Sequence, residues 1–325
     1  MDRMVEQTPL FFKDIVCPCC KHTLLQDSIE QLTCSNASCA ASFPLVDGKP
    51  ILINEANSLF SIDDYQQGRI TTMDLLDDVK PVSLGARIKG LVRRVTPPHS
   101  RAVSDFPVEA ALEKIQTSLA HRPRVLVVGA GDSDMSLHGE IDLVYSDVAL
   151  GPLTELVCDA HDIPFTDDSF DAVIAVAVLE HVVDPERCVS EMTRVLAPRG
   201  FIYSVTPFMQ QVHMGRYDFQ RFSHLGHRRL FRRFAEERSG VANAQGMALA
   251  WSFERFLSGF SETPEIYSAL RTLARFLTFP LLMFDRYLAK KKPAYDSASG
   301  YYFFGRKLDS PIPDRELVAG YRGIQ

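Results

Sequence analysis

Residues 158–207 read CDAHDIPFTDDSFDAVIAVAVLEHVVDPERCVSEMTRVLAPRGFIYSVTP. Two runs rich in β-branched residues, FDAVIAVAV and GFIYSVTP, predict buried strands. The segment 185–196 between them has helical spacing, and its apolar side chains share one face: Cys188, Val189, Met192, Val195 and Leu196. A strand, a helix and a second strand in this order predict an α/β fold built on a parallel sheet.

The alternation of strands and helices continues on both sides of this stretch. The runs RVLVVGAG at 124–131, IDLVYSD at 141–147 and ELVCDA at 155–160 predict three earlier strands. A helix is predicted before them by PVEAALEKIQTSLA, and a last strand by SGYYFFGRKL at 299–308. We therefore expect an α/β domain over residues 105–325, with a mostly helical cap at about 208–295.

Composition limits the class of protein. The 325 residues are 46% hydrophobic and 23% charged, with a net charge of −6. This balance argues against a protein dedicated to nucleic acid, although local basic patches are compatible with it. No apolar run is long enough for a transmembrane segment, and the N-terminus lacks the pattern of a secretion signal. We expect a cytoplasmic protein with reduced cysteines.

Five of the seven cysteines lie in the first 39 residues. The hooks Cys17-Pro-Cys-Cys20 and Cys34-x4-Cys39 can bring four thiolates together on one Zn²⁺, most simply those of Cys17, Cys20, Cys34 and Cys39. A site with four thiolates has no open position and is structural. The alternative is a set of reduced cysteines without metal. We expect a zinc-binding domain over 1–57, closed by a hairpin that turns at Asp47-Gly48, and a linker or docking segment over 58–104.

Polar residues follow three of the predicted strands. Gly129-Ala130-Gly131 comes after the first, and glycines there let a ligand approach the backbone. Asp147 ends the second strand, where it can accept hydrogen bonds from a ribose diol, and Asp159 follows the third, where it can accept from an exocyclic amino group. A plain tight turn and a solvent-facing aspartate are the alternatives for the first two.

The run DAHDIPF-x4-FDAV-x5-LEHV-x-DP at 159–185 resembles the class I S-adenosylmethionine-dependent methyltransferases, specifically the methyltransferase type 11 family. The resemblance implies a Rossmann-like, seven-stranded, mostly parallel sheet whose antiparallel final strand is SGYYFFGRK. It also implies S-adenosylmethionine as cofactor. Its ligands by position are Gly129, Ala130 and Gly131 for the methionine part, Asp147 for the ribose, Asp159 and Ala160 for the adenine, and Val176 with Ala177 for the floor.

This sequence departs from the family pattern in two respects. Ser133 stands where a third glycine is usual, and the stretches after Gly131 and after Asp147 leave hardly any room for helices. The N-terminal residues 14–54 resemble the small zinc-ribbon domain of the tRNA-methyltransferase activator type. That domain is fused to methyltransferases or serves them as a partner, which implies docking or stabilisation, and a protein partner is compatible with this role.

Candidate catalytic residues follow the fourth and fifth strands. Glu180 and His181 belong to LEHV, where a structural role is an equal alternative. Residues 207–234 interleave histidines with arginines, and we expect His213, Tyr217 and Arg221 to form the wall of the acceptor site. A solvated helix face is the alternative from Arg228 onward.

The acceptor is expected to be a small molecule or a glycan- or lipid-linked intermediate. Two rivals remain open: an RNA methyltransferase that holds phosphates with its ribbon and the basic stretch 80–101, and a cofactor-free scaffold that acts through the ribbon. The stretch 267–292 has an apolar face and a basic tail. Core or cap packing is the favoured interpretation, and contact with an anionic membrane surface is the alternative.

Overall fold

The computed structural model describes residues 14–68, 98, 100–131, 134–135 and 140–324. The chain forms two compact units, which are described separately. The first comprises the described residues of 1–74, 115–174 and 186–201, and the second those of 75–114, 175–185 and 202–325. Compactness therefore groups the residues differently from the predicted sequence domains. Most of the predicted linker, residues 69–97 and 99, lies outside the described residues, as do Asp132 and Ser133.

Four antiparallel strands form the cysteine-rich head of the first unit. They are β1 (Leu24–Ser28), β2 (Gln31–Cys34), β3 (Ser42–Val46) and β4 (Lys49–Leu52). Asp47 and Gly48 connect the last two with φ of 51° and 75°. Two consecutive positive φ angles define the turn that suits a two-residue hairpin, and Asp-Gly tolerates them. The predicted hairpin is confirmed.

The predicted strands of the α/β sheet follow in the same unit. They are β5 (Arg124–Val128), β6 (Asp142–Asp147), β7 (Leu156–Cys158), β8 (Phe170–Val176) and β9 (Leu196–Pro207), of which the last two continue into the second unit. β5 is parallel to β6, and β6 is parallel to β7. The parallel α/β architecture is confirmed.

The head extends this sheet at its β7 edge. β4 pairs in parallel with β7, so that Ile51 lies opposite Val157 and Leu52 opposite Cys158. The strand order within the unit is β1-β2-β3-β4-β7-β6-β5-β8-β9. The sheet is therefore wider than the predicted seven strands, because the head supplies strands of its own.

The head also covers the connection between β6 and β7. Residues 148–155 form no helix, as their shortness predicted. Helix α1 (Ile62–Gln66) buries Tyr65 with Ile51, Ile53 and Val157, and the Tyr65 hydroxyl donates to the Val148 carbonyl at 2.6 Å. Apolar surface that a crossover helix would normally cover is thus covered by the head.

Helix α2 (Val108–Ser118) precedes β5, and α3 (Pro185–Val195) lies between β8 and β9. The face predicted for α3 is confirmed, since these side chains are all buried: Cys188, Val189, Met192, Val195 and the adjoining Leu196. Apolar side chains at i, i+3, i+4 and i+7 turn a single stripe to the core.

The second unit joins strands to a helical cap. β10 (Phe234–Asn243) is antiparallel to β11 (Gly300–Lys307), and β11 is also the neighbour of β9. The predicted last strand is therefore confirmed. The helices are α4 (His224–Leu230), α5 (Gln245–Ser258), α6 (Pro264–Leu282), α7 (Asp285–Leu288), α8 (Ala294–Ser297) and α9 (Asp314–Ala319). Among the described residues, none of the helices has the length and hydropathy needed to cross a bilayer.

Replacing Ile51 with alanine tests the junction of head and sheet. The side chain is fully buried between β7 and α1, and we expect I51A to lower the free energy of unfolding by about 2–5 kcal/mol. Ile29 is 83% exposed, so I29A is the matched control and should change stability by less than about 0.5 kcal/mol. Denaturant titration of both variants measures the difference, and equal losses would contradict the role given to Ile51.

Candidate functional site

The four predicted zinc ligands converge in the head. The sulfur atoms of Cys17, Cys20, Cys34 and Cys39 all lie within 4.8 Å of one another. The Cys20–Cys34 and Cys17–Cys39 sulfur distances are 3.3 and 3.9 Å. Tetrahedral coordination with Zn–S bonds of 2.3 Å requires sulfur atoms about 3.8 Å apart. Cys19 points to solvent, as expected for the spare cysteine.

The backbone of each hook is shaped for this convergence. Lys21 and Ala40, which directly follow the second cysteine of each hook, have φ of 59° and 50°. The Lys21 amide donates to the Cys17 carbonyl at 2.8 Å, and the Asn36 amide donates to the Cys34 sulfur at 3.4 Å. An amide hydrogen bond stabilises a thiolate, so the four residues fit a structural metal ion.

The glycine turn after β5 has the conformation that the sequence requires. Gly129 and Gly131 have φ of 68° and 52°, and a side chain at Gly131 would point into open space. The Gly131 amide donates to the Asp147 carboxylate at 2.8 Å, and so does the Ala149 amide at 2.9 Å. Asp147 therefore ties the two strand ends together. An ionised carboxylate accepts about four hydrogen bonds, so this role is compatible with a ribose.

Asp159 lies in more enclosed surroundings than its predicted role suggests. Its side chain accepts from the His161 amide at 3.0 Å and from the Ser58 hydroxyl at 2.7 Å, and it lies 2.5 Å from the His161 ring. Burial would raise the pKa of Asp159, but the hydrogen bonds from His161 and Ser58 outweigh it and lower the pKa. Ala160, beside it, is also buried. Both residues stay predicted adenine contacts.

Val176 and Ala177 end β8 within the second unit. Ala177 is exposed and has φ of 55°, an unusual conformation for alanine. Its amide donates to the Val205 carbonyl at 3.0 Å, which holds the turn in place. Strained backbone of this kind concentrates at functional sites. The cofactor floor formed by Val176 and Ala177 stays a prediction.

His181 and His213 come together in the second unit. Their rings lie 4.8 Å apart and nearly perpendicular. The His181 Nδ1 donates to the Tyr217 carbonyl at 2.8 Å, which leaves its Nε2 directed at Glu180 Oε1, 3.7 Å away. His213 Nε2 lies 3.9 Å from the same oxygen. The loop is fixed because the Phe219 amide donates to the Glu180 carbonyl at 2.8 Å.

Glu180 is a buried carboxyl. Its side chain is 1% exposed, and among the described residues no other side chain or backbone group lies in hydrogen-bonding geometry with either oxygen. Burial raises the pKa of Glu180 to about 8, and burial also lowers the pKa of His181 and of His213. Near neutral pH the cluster is therefore a protonated carboxyl facing two neutral imidazoles. One carboxylate and two imidazoles within 4.8 Å are also a set that could hold a divalent cation.

Asp218 and Arg221 complete this cluster. The Arg221 guanidinium pairs with both Asp218 oxygens. Burial would raise the pKa of Asp218, but the hydrogen bonds from Arg221 and from the His213 amide outweigh it and lower the pKa. Asp218 Oδ2 lies 3.3 Å from His213 Nδ1, although the two atoms are not aligned for a hydrogen bond. An ionised carboxylate at this distance favours a proton on Nδ1 and leaves Nε2 as the basic nitrogen.

A cavity of about 730 Å³ opens beside this cluster. Residues 210–213, 215 and 218–221 line it together with Arg255 of α5. Two of the three predicted wall residues, His213 and Arg221, border it. Tyr217 contributes its carbonyl to His181, while the Arg216 guanidinium lies 5.3 Å from its ring.

The remaining histidines of 207–234 belong to the packing of the unit, whereas several of the arginines face solvent: Arg216, Arg229 and Arg233. His224 and His227 are buried against aromatic rings, and burial lowers their pKa to about 4 and about 3. Arg228 pairs with Glu236 at 2.6 Å, and Arg229 and Arg232 both approach Asp314. Sequence reasoning missed Asp218 and Arg255. A carboxylate five residues after His213 was the available signal for Asp218.

Comparison with known proteins concerns the region of the predicted cofactor contacts. Residues 143–204 match the family model described as a methyltransferase domain. The matched part is shorter than half of the chain. It contains nearly all of β6, β7, β8, α3 and most of β9, and it includes Asp147, Asp159, Val176, Ala177 and His181.

Matches to curated proteins cover parts of the chain. "Probable tRNA methyltransferase 9B" of Mus musculus is 38% identical over 73 residues, 19% of this chain and 16% of that protein. Phosphatidylethanolamine N-methyltransferase of Cereibacter sphaeroides is 32% identical over 117 residues, 36% of this chain and 57% of that protein. The chain thus spans between 16% and 57% of the length of these two relatives.

Among solved structures, a complex of the Haloferax volcanii Trm112 methyltransferase activator with a methyltransferase is similar to this chain. The identity is 18% and the TM-score 0.38, with 68% of this chain and 94% of that chain covered.

The raised pKa of Glu180 predicts a pH-dependent stability. The folded protein keeps a proton that the unfolded chain releases near pH 4.5, so this carboxyl lowers the stability as the pH rises from 4.5 to about 8. Glu180→Gln keeps the neutral shape and removes this dependence. We expect E180Q to exceed the wild type by on the order of a few kcal/mol at about pH 9, and to match it near pH 4.5.

Thermal unfolding across this pH range measures the effect. Glu254→Gln is the control of opposite sign, because hydrogen bonds from Arg275 and Arg271 outweigh burial and lower the pKa of Glu254. E254Q should therefore lose stability above the unfolded pKa. A wild type and an E180Q variant with parallel pH profiles would contradict the protonated state given to Glu180.

Proposed function

We propose that the chain is an S-adenosylmethionine-dependent methyltransferase. The match of residues 143–204 to a methyltransferase domain carries this proposal. Two features support it: the positive φ angles of Gly129 and Gly131, and an Asp147 carboxylate held at the end of β6. The class I assignment, with β5 to β11 as its seven strands, is part of the proposal. When bound, S-adenosylmethionine supplies an electrophilic methyl group, so the protein's tasks are to orient the acceptor and to exclude water.

His213 is the proposed general base for an acceptor in the neighbouring cavity. Its pKa is lowered by burial, so the ring is neutral at pH 7 and can accept a proton. The Asp218 carboxylate faces Nδ1 of the ring at 3.3 Å, and the Arg221 guanidinium pairs with Asp218. His181, fixed by the Tyr217 carbonyl, and the protonated Glu180 form the back of this site. The proton that His213 Nε2 takes from the acceptor forms an imidazolium, which the Asp218 carboxylate stabilises until the proton is released to solvent.

Substitution of His213 tests this role. We expect His213→Asn to lower kcat by about 10²–10⁴ and to leave the dissociation constant of S-adenosylmethionine unchanged in calorimetric titration. The wild-type rate should fall as the pH drops below 6.5, because the base becomes protonated, and the variant should lack this limb. His121→Asn, at a histidine whose side chain is 61% exposed, is the matched control. Unchanged turnover in H213N would reject the assignment, whereas absent cofactor binding in the wild type would favour the scaffold alternative.

A small-molecule or lipid- or glycan-linked acceptor fits the cavity better than a polynucleotide. Its bordering arginines are already committed, Arg221 to Asp218 and Arg255 to Tyr267 and the Val212 carbonyl. A phosphate backbone requires several available cations along a surface. Transfer of labelled methyl groups to phosphatidylethanolamine vesicles and to tRNA distinguishes the two, and salt-sensitive tRNA labelling would favour the RNA alternative.

The head is proposed to bind one structural Zn²⁺ and to serve as a built-in zinc ribbon. The four sulfur atoms lie at distances near those of tetrahedral coordination, and an ion there would supply folding energy to the hooks. A protein partner docking on this ribbon is part of the same hypothesis.

Metal analysis tests the zinc site. We expect one zinc per chain, lost in Cys20→Ser and Cys34→Ser and retained in Cys19→Ser, which removes the exposed spare cysteine. Because β4 continues from the hooks into the sheet, chelation should also lower the melting temperature, and the C19S variant should respond as the wild type does. Wild-type protein without zinc after purification under reducing conditions would favour cysteines without metal.

A further inference from the structure

The cap presents an unusual number of exposed apolar side chains on α6 and α7. They are more than a third exposed, and several reach about three fifths, such as Leu277 at 58% and Phe284 at 61%. We call the following set the apolar stripe: Ile266, Leu273, Phe276, Leu277, Met283, Phe284 and Tyr287. A single exposed apolar residue is ordinary, but a contiguous set marks an interaction surface.

The apolar stripe lies on one side of the helical segment. Within α6 its members recur at intervals of three, four and seven residues, which places them on one face of that helix. Met283, Phe284 and Tyr287 continue the same spacing into the turn and the helix that follow. The opposite face is already packed, because Ala274, Thr278 and Leu282 are buried. Arg271 and Arg275 bind Glu254 of α5 at 2.6 and 3.0 Å. The face with Ala274, Thr278 and Leu282 thus provides the expected packing of the cap, and the apolar stripe lies on the face that this packing leaves exposed.

The charges at the C-terminal end of the apolar stripe all have one sign. The exposed Arg286 and Lys290–Lys292 follow it, and the Lys291 amine lies 4.4 Å from the Tyr287 ring. Residues 273–292 are all described, and Asp285 is the acid among them. Its carboxylate is fully buried and accepts from the amides of Gly246 and Met247. Beyond residue 272 the surface therefore carries aromatic and aliphatic groups next to cations, whereas the exposed acids Glu262 and Glu265 lie at its other end, beside Ile266.

We propose that this surface docks on an anionic lipid bilayer, with the apolar stripe in the headgroup region and Arg286 and Lys290–Lys292 on acidic lipids. Phenylalanine, leucine and methionine beside a lysine cluster suit the interface between headgroups and acyl chains. A second copy of the chain suits it less. A two-fold contact centred on residues 283–292, where the stripe is most exposed, would bring the same cations together, because the exposed acids Glu262 and Glu265 lie at the far end of α6. The inference does not depend on methyl transfer.

Vesicle flotation of the full chain tests the proposal. We expect binding to phosphatidylcholine vesicles that contain about 30% phosphatidylglycerol and little binding to pure phosphatidylcholine, with weaker binding at about 0.5 M salt than at about 0.1 M. Replacing Lys290, Lys291 and Lys292 with glutamine should weaken binding about 100-fold. Phe276→Asp should weaken it at least about tenfold.

Matched controls separate the surface from general charge and hydrophobicity. Lys114, Arg199 and Arg315 are exposed, and their glutamine triple variant has the same net charge as the lysine variant. Val318 is 65% exposed and lies outside the apolar stripe, so Val318→Asp is the control for Phe276→Asp. If F276D fails to fold by circular dichroism, the milder pair Leu277→Ser and Met283→Ser replaces it.

The flotation results distinguish docking on a bilayer from its alternatives. Loss of flotation in the lysine and Phe276 variants, with both controls floating as the wild type does, supports the proposal. Equal flotation of variants and controls overturns it. A wild type that stays off the vesicles but sediments as a dimer, which the Phe276 variant dissociates, also overturns it and identifies the surface as an interface between copies. Calorimetry with S-adenosylmethionine is measured separately, so failure here leaves the proposed activity untouched.

Discussion

The parallel pairing of β4 with β7 is the interaction on which the first unit depends. A strand of the cysteine-rich head lies in register with the strand that precedes Asp159, and Ile51, Leu52 and Val157 are fully buried at this junction. An exposed sheet edge would present a row of unpaired amides and carbonyls to other chains, so covering it with β4 protects the edge from unwanted pairing. Because the connection after β6 contains no helix, the head supplies both the missing edge strand and the missing apolar cover.

Polar contacts fix the same junction at the loop after β7. Asn54 and Asn57 both donate to Asp162, at 3.0 and 2.8 Å, and Arg187 pairs with the other Asp162 oxygen at 2.6 Å. Ser58 reaches Asp159 in the same way. A carboxylate enclosed by donors from the head cannot move independently of it. The loop expected to meet the adenine is therefore held by residues more than a hundred positions earlier in the chain.

Much of this architecture could be predicted from the sequence because it is local. β-Branched runs such as VLVV define strands, Asp47-Gly48 defines a turn, and paired cysteines at short spacing define a metal-type hook. What could not be predicted depends on non-local pairing. Periodicity does not reveal that β4 meets β7, since a parallel partner lies far away in sequence and leaves no turn signal.

The candidate site divides in the same way. The histidines were visible as residue types, but their roles depended on burial: His213 borders a cavity, while His224 and His227, eleven and fourteen residues later, are core residues. Glu180 was visible within LEHV, but the burial that raises its pKa depends on the residues folded around it. The apolar face of α6 was likewise evident, and only the structure shows which side of it is covered.

Joining the head to the strands β5 to β7 in one chain also changes how their association responds to dilution. If the two strands belonged to separate proteins, a pairing as short as that of β4 with β7 would form and dissociate according to the protein concentration. A covalent connection instead fixes the local concentration of the head, on the order of millimolar for a flexible tether, whatever the amount of protein present. The sheet edge next to Asp159 is then completed in every molecule as it folds, and its completion cannot be regulated by the supply of a second subunit.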